Sequence, residues 1–441
     1  MDLNRGISTK IVRVNPATNS SDDSVNSLIL PLTLFDLRWI KFHSNKRVIF
    51  YRLTDSSPES FHILILPKLE LSLSLVLSHY LPLAGRLTWD PQDSKPSIIV
   101  SKDDTVSLTV AVTNADFSFL AGNGLRPATE FRSLVPELTV CDDSATVLSL
   151  QITLFPNQVF CIGIASHHSV LDGKTSTMFL KSWAHICRLQ EHNKAIDFPL
   201  LPEDLTPSFD RTVVNVPLGL EAKMMELLLY LSKDIDNFRT LKPPPISEIS
   251  ADVVRVTLEL TSENVEKLRE RVKNNSVRSL LDLHLSTFVI AYAYALTCVV
   301  KARGGDANRP VHFIYTADLS HRLDPQIPTT YFGNCVFPVG WFQYEARTFL
   351  EEDGFVNVVE ILSDSPGAQI GAVAGSTRLG VYGSDFGWGR PAKTEVVSID
   401  NNEAFSMSER RDEPGGVEMG VCLKKSEMNI FLSLFKNGLS D

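Results

Sequence analysis

Residues 191–211, EHNKAIDFPLLPEDLTPSFDR, set three prolines and five acidic side chains between two stretches full of strand and helix patterns. Proline fixes φ and removes a main-chain donor, so neither a helix nor a central strand runs through such a segment. It reads as a crossover linker that divides the 441 residues into halves of similar size. The expected organisation is a first domain at 1–190, the linker at 191–211 and a second domain at 212–441.

Both halves mix the two periodicities. In the first, KRVIFYRL, PSIIV, SLTVAV, TVLSLQITLF and VFCIGIA are short runs rich in β-branched and apolar residues, and read as strands. The run from Phe61 to Tyr80 is ambiguous. Leu69, Leu71, Leu73, Val76, Leu77 and Tyr80 share one wide helical face, whereas LSLSL alternates as a strand does. KTSTMFLKSWAHICRLQ has helical spacing at Met178, Phe179, Trp183, Ile186 and Leu189. In the second half the strands are ADVVRVTLEL, HFIYTADL, EVVSI and GVEMGVCL, and TSENVEKLRERVKN is a helix. Strands and helices alternate without the regular βαβ cadence of a parallel-sheet fold, so the reading is two α/β domains.

Composition removes several function classes. With 52 acidic against 42 basic residues and no basic stripe, nucleic acid and anionic membrane are poor partners. The apolar run 285–300 is shorter than the roughly 20 residues a membrane span needs and carries Ser286, Thr287, Tyr292 and Tyr294. It reads as a buried core helix. The six cysteines are scattered with no CxxC pair, which excludes a zinc motif and a disulfide framework. Buried thiols and an N-terminus without the apolar core of a secretory signal lead to the expectation of a cytosolic protein.

The chemistry concentrates at His167-His168-Ser169-Val170-Leu171-Asp172-Gly173, between a strand and a helix. Histidine is the side chain whose ordinary pKa, about 6.5, suits proton abstraction near neutrality. Asp172 stands where a helix N-cap belongs, and Gly173 permits close backbone approach. A lone histidine before a helix is as often a mere turn residue, so this pattern alone leaves a structural reading open. Gly173-Lys174-Thr175 lacks the first glycine of a phosphate loop, and HExxH and GxSxG are absent. What remains is a histidine base acting on a hydroxyl or amine of a bound substrate.

Asp385-Phe386-Gly387-Trp388-Gly389 supplies the second signal. With HxxxD in mid-chain and DFGWG towards the C-terminus, the sequence resembles the plant BAHD acyltransferases along nearly its whole length. Tyr331-Phe332-Gly333-Asn334-Cys335 narrows the resemblance to the clade that malonylates anthocyanin, flavonoid and phenolic glucosides. By itself YFGNC reads as a turn packed locally.

The resemblance implies two chloramphenicol-acetyltransferase-like domains of similar size, with mixed sheets flanked by helices and a channel between them. It implies a monomer with no bound cofactor, taking acyl-CoA (malonyl-CoA) as co-substrate and a phenolic or flavonoid glucoside as acceptor. His168 would be the general base and Asp172 a geometric support paired with an arginine. DFGWG would be structural, shaping the coenzyme side of the channel. A malonyl carboxylate calls for a cation, and Lys174 is the candidate, against a reading as a solvated lysine on the first helix turn. Ser376 and Thr377, just ahead of DFGWG, are candidate hydrogen-bond donors to the oxyanion.

Three departures from the family pattern stand out. Ser320, in Asp318-Leu319-Ser320-His321-Arg322, occupies the place of the arginine expected to pair with Asp172. The stretch 356–384 is short, and Leu296 replaces a tryptophan. They raise the alternative of a weakened or inactive paralogue that binds coenzyme A esters or phenolics without turnover. A condensation-type amide-forming enzyme shares HHxxxDG, but DFGWG favours the plant family.

Overall fold

The computed structural model describes residues 8–18, 28–90, 92–192, 198–231, 239–364, 378–401 and 405–440. Its largest sheet has six strands in the order Ser8–Val14, Val106–Val112, Leu148–Phe155, Val159–Ser166, Asn45–Arg52 and Lys393–Val396. Val106–Val112 and Leu148–Phe155 run parallel, and the other neighbours are antiparallel. Every residue of Leu148–Phe155 and Val159–Ser166 is buried. That is the pattern of central strands covered on both faces, and it explains their unbroken apolar sequence.

Two long helices pack together beside this sheet. Gly173–His192 lies against the continuous helix Pro58–His79, where Trp183 Nε1 donates to Ser72 Oγ at 2.9 Å. The ambiguous LSLSL run is thus helical, because Leu69, Leu73, Val76 and Leu77 form a single buried stripe. Among the described residues, Pro58–His79 is the helix long and apolar enough to cross a membrane, by length and composition. Here its buried stripe is spent on the core.

A second sheet orders Phe405–Glu409, Val417–Lys424, Val253–Leu260 and Arg126–Pro127. The helix Thr287–Arg303 sits in its core, with nearly every residue from Phe288 to Ala302 buried, as the 285–300 run predicts. A ribbon of Pro310–Asp318 with Val336–Glu345 and a small sheet of Leu28–Pro31, Ser97–Val100, Arg86–Thr88 and Ser144–Thr146 complete the strands among the described residues. Mixed sheets flanked by helices are the fold class the family resemblance implies.

Chain order and packing diverge at the seam. Lys393–Val396, far along the second half, hydrogen-bonds to the outer edge of Asn45–Arg52. In return, Arg126 and Pro127 pair with Val253–Leu260. A buried charge cluster ties the two together. Glu395 lies 3.0 Å from Arg255 and 3.7 Å from Arg126, and it accepts from Thr257 Oγ1 at 2.6 Å. Burial pushes the Glu395 carboxyl up, but the charges of Arg255, Lys393 and Arg126 outweigh it and hold the group below its ordinary value.

Candidate active site

Strand Val159–Ser166 delivers the HxxxD turn. His167 N donates to Val147 O at 2.9 Å, and Val170 and Leu171 N fold back onto His167 O at 3.0 and 3.3 Å. Asp172 then caps the helix Gly173–His192, its Oδ1 accepting from Thr175 N at 2.8 Å. The turn is also tied to the sheet, where Asn45 Nδ2 donates to Leu171 O at 3.1 Å. His167 is buried, and its Nδ1 lies 2.8 Å from Ser169 Oγ, so it serves the turn.

His168 is only partly buried. Its ring stacks on Trp39 at 4.2 Å, 3° from parallel, and meets the edge of Phe42 at 5.9 Å. Nδ1 is buried without a partner of good hydrogen-bond geometry. Desolvation lowers the imidazole pKa to about 4; contact with its own carbonyl opposes this and the nearby charge of Arg38 adds to it. The ring is therefore neutral at pH 7 and can accept a proton.

The YFGNC segment is more than the local turn it resembles in sequence. Asn334 Nδ2 donates both to His168 O at 3.0 Å and to Asp36 Oδ1 at 3.1 Å, and Asn334 N donates to the same Asp36 oxygen at 2.9 Å. The other oxygen of this fully buried carboxylate accepts from Thr33 N and Oγ1. Arg211, the last residue of the linker, lies 3.7 Å from Asp36 and donates to Phe332 O at 2.7 Å and Tyr331 Oη at 2.5 Å. Gly333 O accepts from Thr175 Oγ1 at 2.9 Å. At φ +148°, Gly333 admits no side chain, because a Cβ would strike the Arg211 guanidinium. Directly beyond, Val336 O accepts from Trp39 Nε1 at 3.1 Å. One stretch of chain thus fixes both the loop of His168 and the ring stacked on it.

Asp172 is buried, with Oδ2 accepting from Cys335 N at 3.3 Å. Among the described residues no cation lies within ion-pair distance of it, and Ser320 Oγ is buried without a partner. Desolvation raises the Asp172 pKa, partly offset by its main-chain donors and by the charge of Lys174. This is the outcome expected where serine replaces the arginine partner. Lys174 is partly exposed on the first helix turn, and its charge acts on Asp172 and Cys335. Ser376 and Thr377 lie outside the described residues.

DFGWG lies behind the helix Gly173–His192. Asp385 Oδ1 accepts from Gly387 N at 2.8 Å and Gly389 N at 2.9 Å, with both glycines at positive φ. Phe386 packs edge-on against Tyr51 and Trp183, and Trp388 against Phe160 under the Lys68 ammonium. Its contacts are those of a clasp on the core.

A cleft of about 420 Å³ opens beside the turn. Phe42, His43, Glu137, His167 and Lys242 line it, with residues 243–246 as a proline-rich wall. Asp36, Arg211, Arg38, Trp39 and Phe42 carried no signal that sequence reasoning picked out. No described group of histidine, cysteine and acidic side chains is arranged to hold a metal.

The Transferase family model matches residues 8–370 and 358–437. A BAHD acyltransferase of Arabidopsis thaliana is 56% identical over 97% of each chain. Phenolic glucoside malonyltransferase 2 of the same plant is 52% identical over 97% of this chain and 98% of its own. Agmatine coumaroyltransferase, also from Arabidopsis thaliana, is 52% identical over 97% of both. Of solved structures, vinorine synthase shares the fold at 20% identity, with a TM-score of 0.64 over 97% of this chain and 98% of that one. The chain belongs to the Transferase family, and is an acyl-CoA-dependent acyltransferase of the BAHD type. Within that family it falls in the clade of the phenolic glucoside malonyltransferases.

Proposed function

We propose that the protein moves a malonyl group from malonyl-CoA to a sugar hydroxyl of a phenolic or flavonoid glucoside, with His168 as general base. The observation that carries this reading is the state of His168: partly exposed, uncharged at neutral pH, held by Asn334, and packed against Phe42, which lines a cleft large enough for a glycoside. His168 accepts the proton of the hydroxyl as its oxygen attacks the thioester carbonyl. It returns that proton to the sulfur as the tetrahedral intermediate collapses and coenzyme A departs. Such base catalysis contributes about 10²–10⁴-fold, with positioning adding to it.

Asp172 and the Asn334 latch support the histidine without touching substrate. The rings and prolines of the cleft suit a phenolic aglycone, with the sugar towards the base. Relatives named as glucoside malonyltransferases, 48–52% identical, support the choice of donor and acceptor. Six free cysteines, five of them buried, fit the cytosol as its compartment.

The test is a screen of malonyl-, acetyl- and coumaroyl-CoA against phenolic and flavonoid glucosides, with His168→Ala as control. Malonyl transfer to a glucoside that the variant loses is the expected result. Equal rates in the variant, or binding of coenzyme A esters with no turnover in the parent, would overturn the proposal.

A further inference from the structure

Arg38 follows the short helix Leu34–Leu37 and is half-buried. Its guanidinium carbon lies 5.1 Å from the centroid of Phe42 and 5.8 Å from that of Trp39, the two rings that flank His168. Three other guanidiniums of the interior have carboxylate partners: Arg211 beside Asp36, and Arg126 and Arg255 beside Glu395. Among the described residues the Arg38 guanidinium has neither a carboxylate nor a hydrogen-bond partner, whereas the Arg38 main-chain N–H donates to Asp36 O. A stacked guanidinium keeps its N–H edge available, and that edge matches a carboxylate with two parallel bonds.

We propose that Arg38 receives the free carboxylate of the donor's acyl group, and so selects malonyl over uncharged acyl groups. This rests on the reading of the chain as a malonyltransferase and assigns that specificity to one side chain.

Reach supports the assignment. With an acceptor oxygen hydrogen-bonded to the base and the thioester carbon about 3–3.5 Å beyond it, a carboxylate one methylene further lies roughly 6–8 Å from the imidazole. The rings that carry Arg38 are packed directly on that imidazole. The phosphates of coenzyme A cannot be its partner, since they sit at the far end of the pantetheine arm. A neutral glucoside offers it no anion. Lys174, the cation singled out in the sequence, instead acts on Asp172 and Cys335. Burial also costs the Arg38 charge hydration, and an incoming carboxylate would offset that cost.

The test compares kcat/KM for malonyl-CoA and acetyl-CoA, with one phenolic glucoside as acceptor, in the parent, Arg38→Gln, Arg38→Lys and Lys174→Ala. A charge-assisted pair is worth about 10- to 100-fold, so Arg38→Gln should lower the malonyl-to-acetyl ratio by that much, chiefly through KM for malonyl-CoA. Arg38→Lys should recover part of the ratio, and it carries the test if the glutamine variant does not fold. Loss of the positive charge should also move the acid limb of the acetyl-CoA profile to higher pH. An unchanged ratio in both Arg38 variants, or a collapse confined to Lys174→Ala, would overturn the assignment. A parent that uses acetyl-CoA or coumaroyl-CoA but not malonyl-CoA would overturn the malonyl reading itself, a result the parent alone reveals.

Discussion

The side-chain amide of Asn334 holds the main-chain carbonyl of His168 at 3.0 Å, across 166 positions of sequence. The same amide nitrogen holds Asp36, which Arg211 approaches from the linker. The His168 carbonyl is therefore set by three distant parts of the chain at once. Orientation of this kind acts on the reaction rate more than on substrate affinity.

Replacing Asn334 by alanine removes both side-chain bonds and leaves the His168 carbonyl and Asp36 short of a donor. The expected stability loss is about 1–3 kcal/mol. Steady-state kinetics should show kcat reduced by about 10- to 100-fold with KM changed far less. Thermal unfolding beside kinetics checks both parts, and a variant that loses stability with unaltered kcat would deny the latch a positioning role.

The pKa of His168, lowered to about 4, predicts the acid limb of kcat/KM. A base must be deprotonated to work, so activity should be flat through neutral pH and fall only as pH drops towards about 4. An ordinary histidine would give a limb near 6.5. A profile of rate against pH, with stability monitored at each point, decides between them.

Among the described residues, Asp172 has no cation to lose. Removing one member of a buried ion pair costs about 3–5 kcal/mol, whereas Asp172→Asn should cost less than about 2 kcal/mol because the amide oxygen still accepts from Thr175 N. The sign with pH is specific. A carboxyl raised in the folded state destabilises the fold as pH rises through its unfolded value, so the gap between parent and variant should narrow from acid to neutral pH. Chemical denaturation at two pH values measures it.

Glu395 behaves in the opposite sense. Its carboxyl is depressed in the fold, so its contribution is present above the unfolded pKa and is lost as pH falls through the folded one. Glu395→Ala leaves Arg255 and Arg126 without their shared anion and should cost about 3–5 kcal/mol at pH 7. The deficit should shrink in acid, and unfolding curves at pH 7 and pH 4 test this.

Much of the scaffold was legible because it is periodic. Leu148–Phe155, Val159–Ser166 and Thr287–Arg303 announce themselves as apolar runs, and the HxxxD turn falls between a clear strand and a clear helix. Pro58–His79 was ambiguous because leucines at every second position satisfy both periods over so short a stretch. The partnerships of the site were hidden for another reason. Asp36, Asn334 and Arg211 are single residues on separate segments, and no local spacing links them. Arg38 sits inside the apolar run LFDLRWI, where it reads as a lone surface charge. The resemblance pointed to His168 but not to what holds it.

The pairing of Lys393–Val396 with Asn45–Arg52 bears on how the polypeptide is made. A ribosome releases residues 45–52 roughly 340 residues before their sheet neighbour. Throughout that interval the nascent half carries a strand with unsatisfied main-chain groups along one side, a template for other chains. Release of the finished polypeptide closes that side. A premature stop ahead of residue 393 would leave the strand permanently open, and such a fragment should aggregate rather than persist as an independent half.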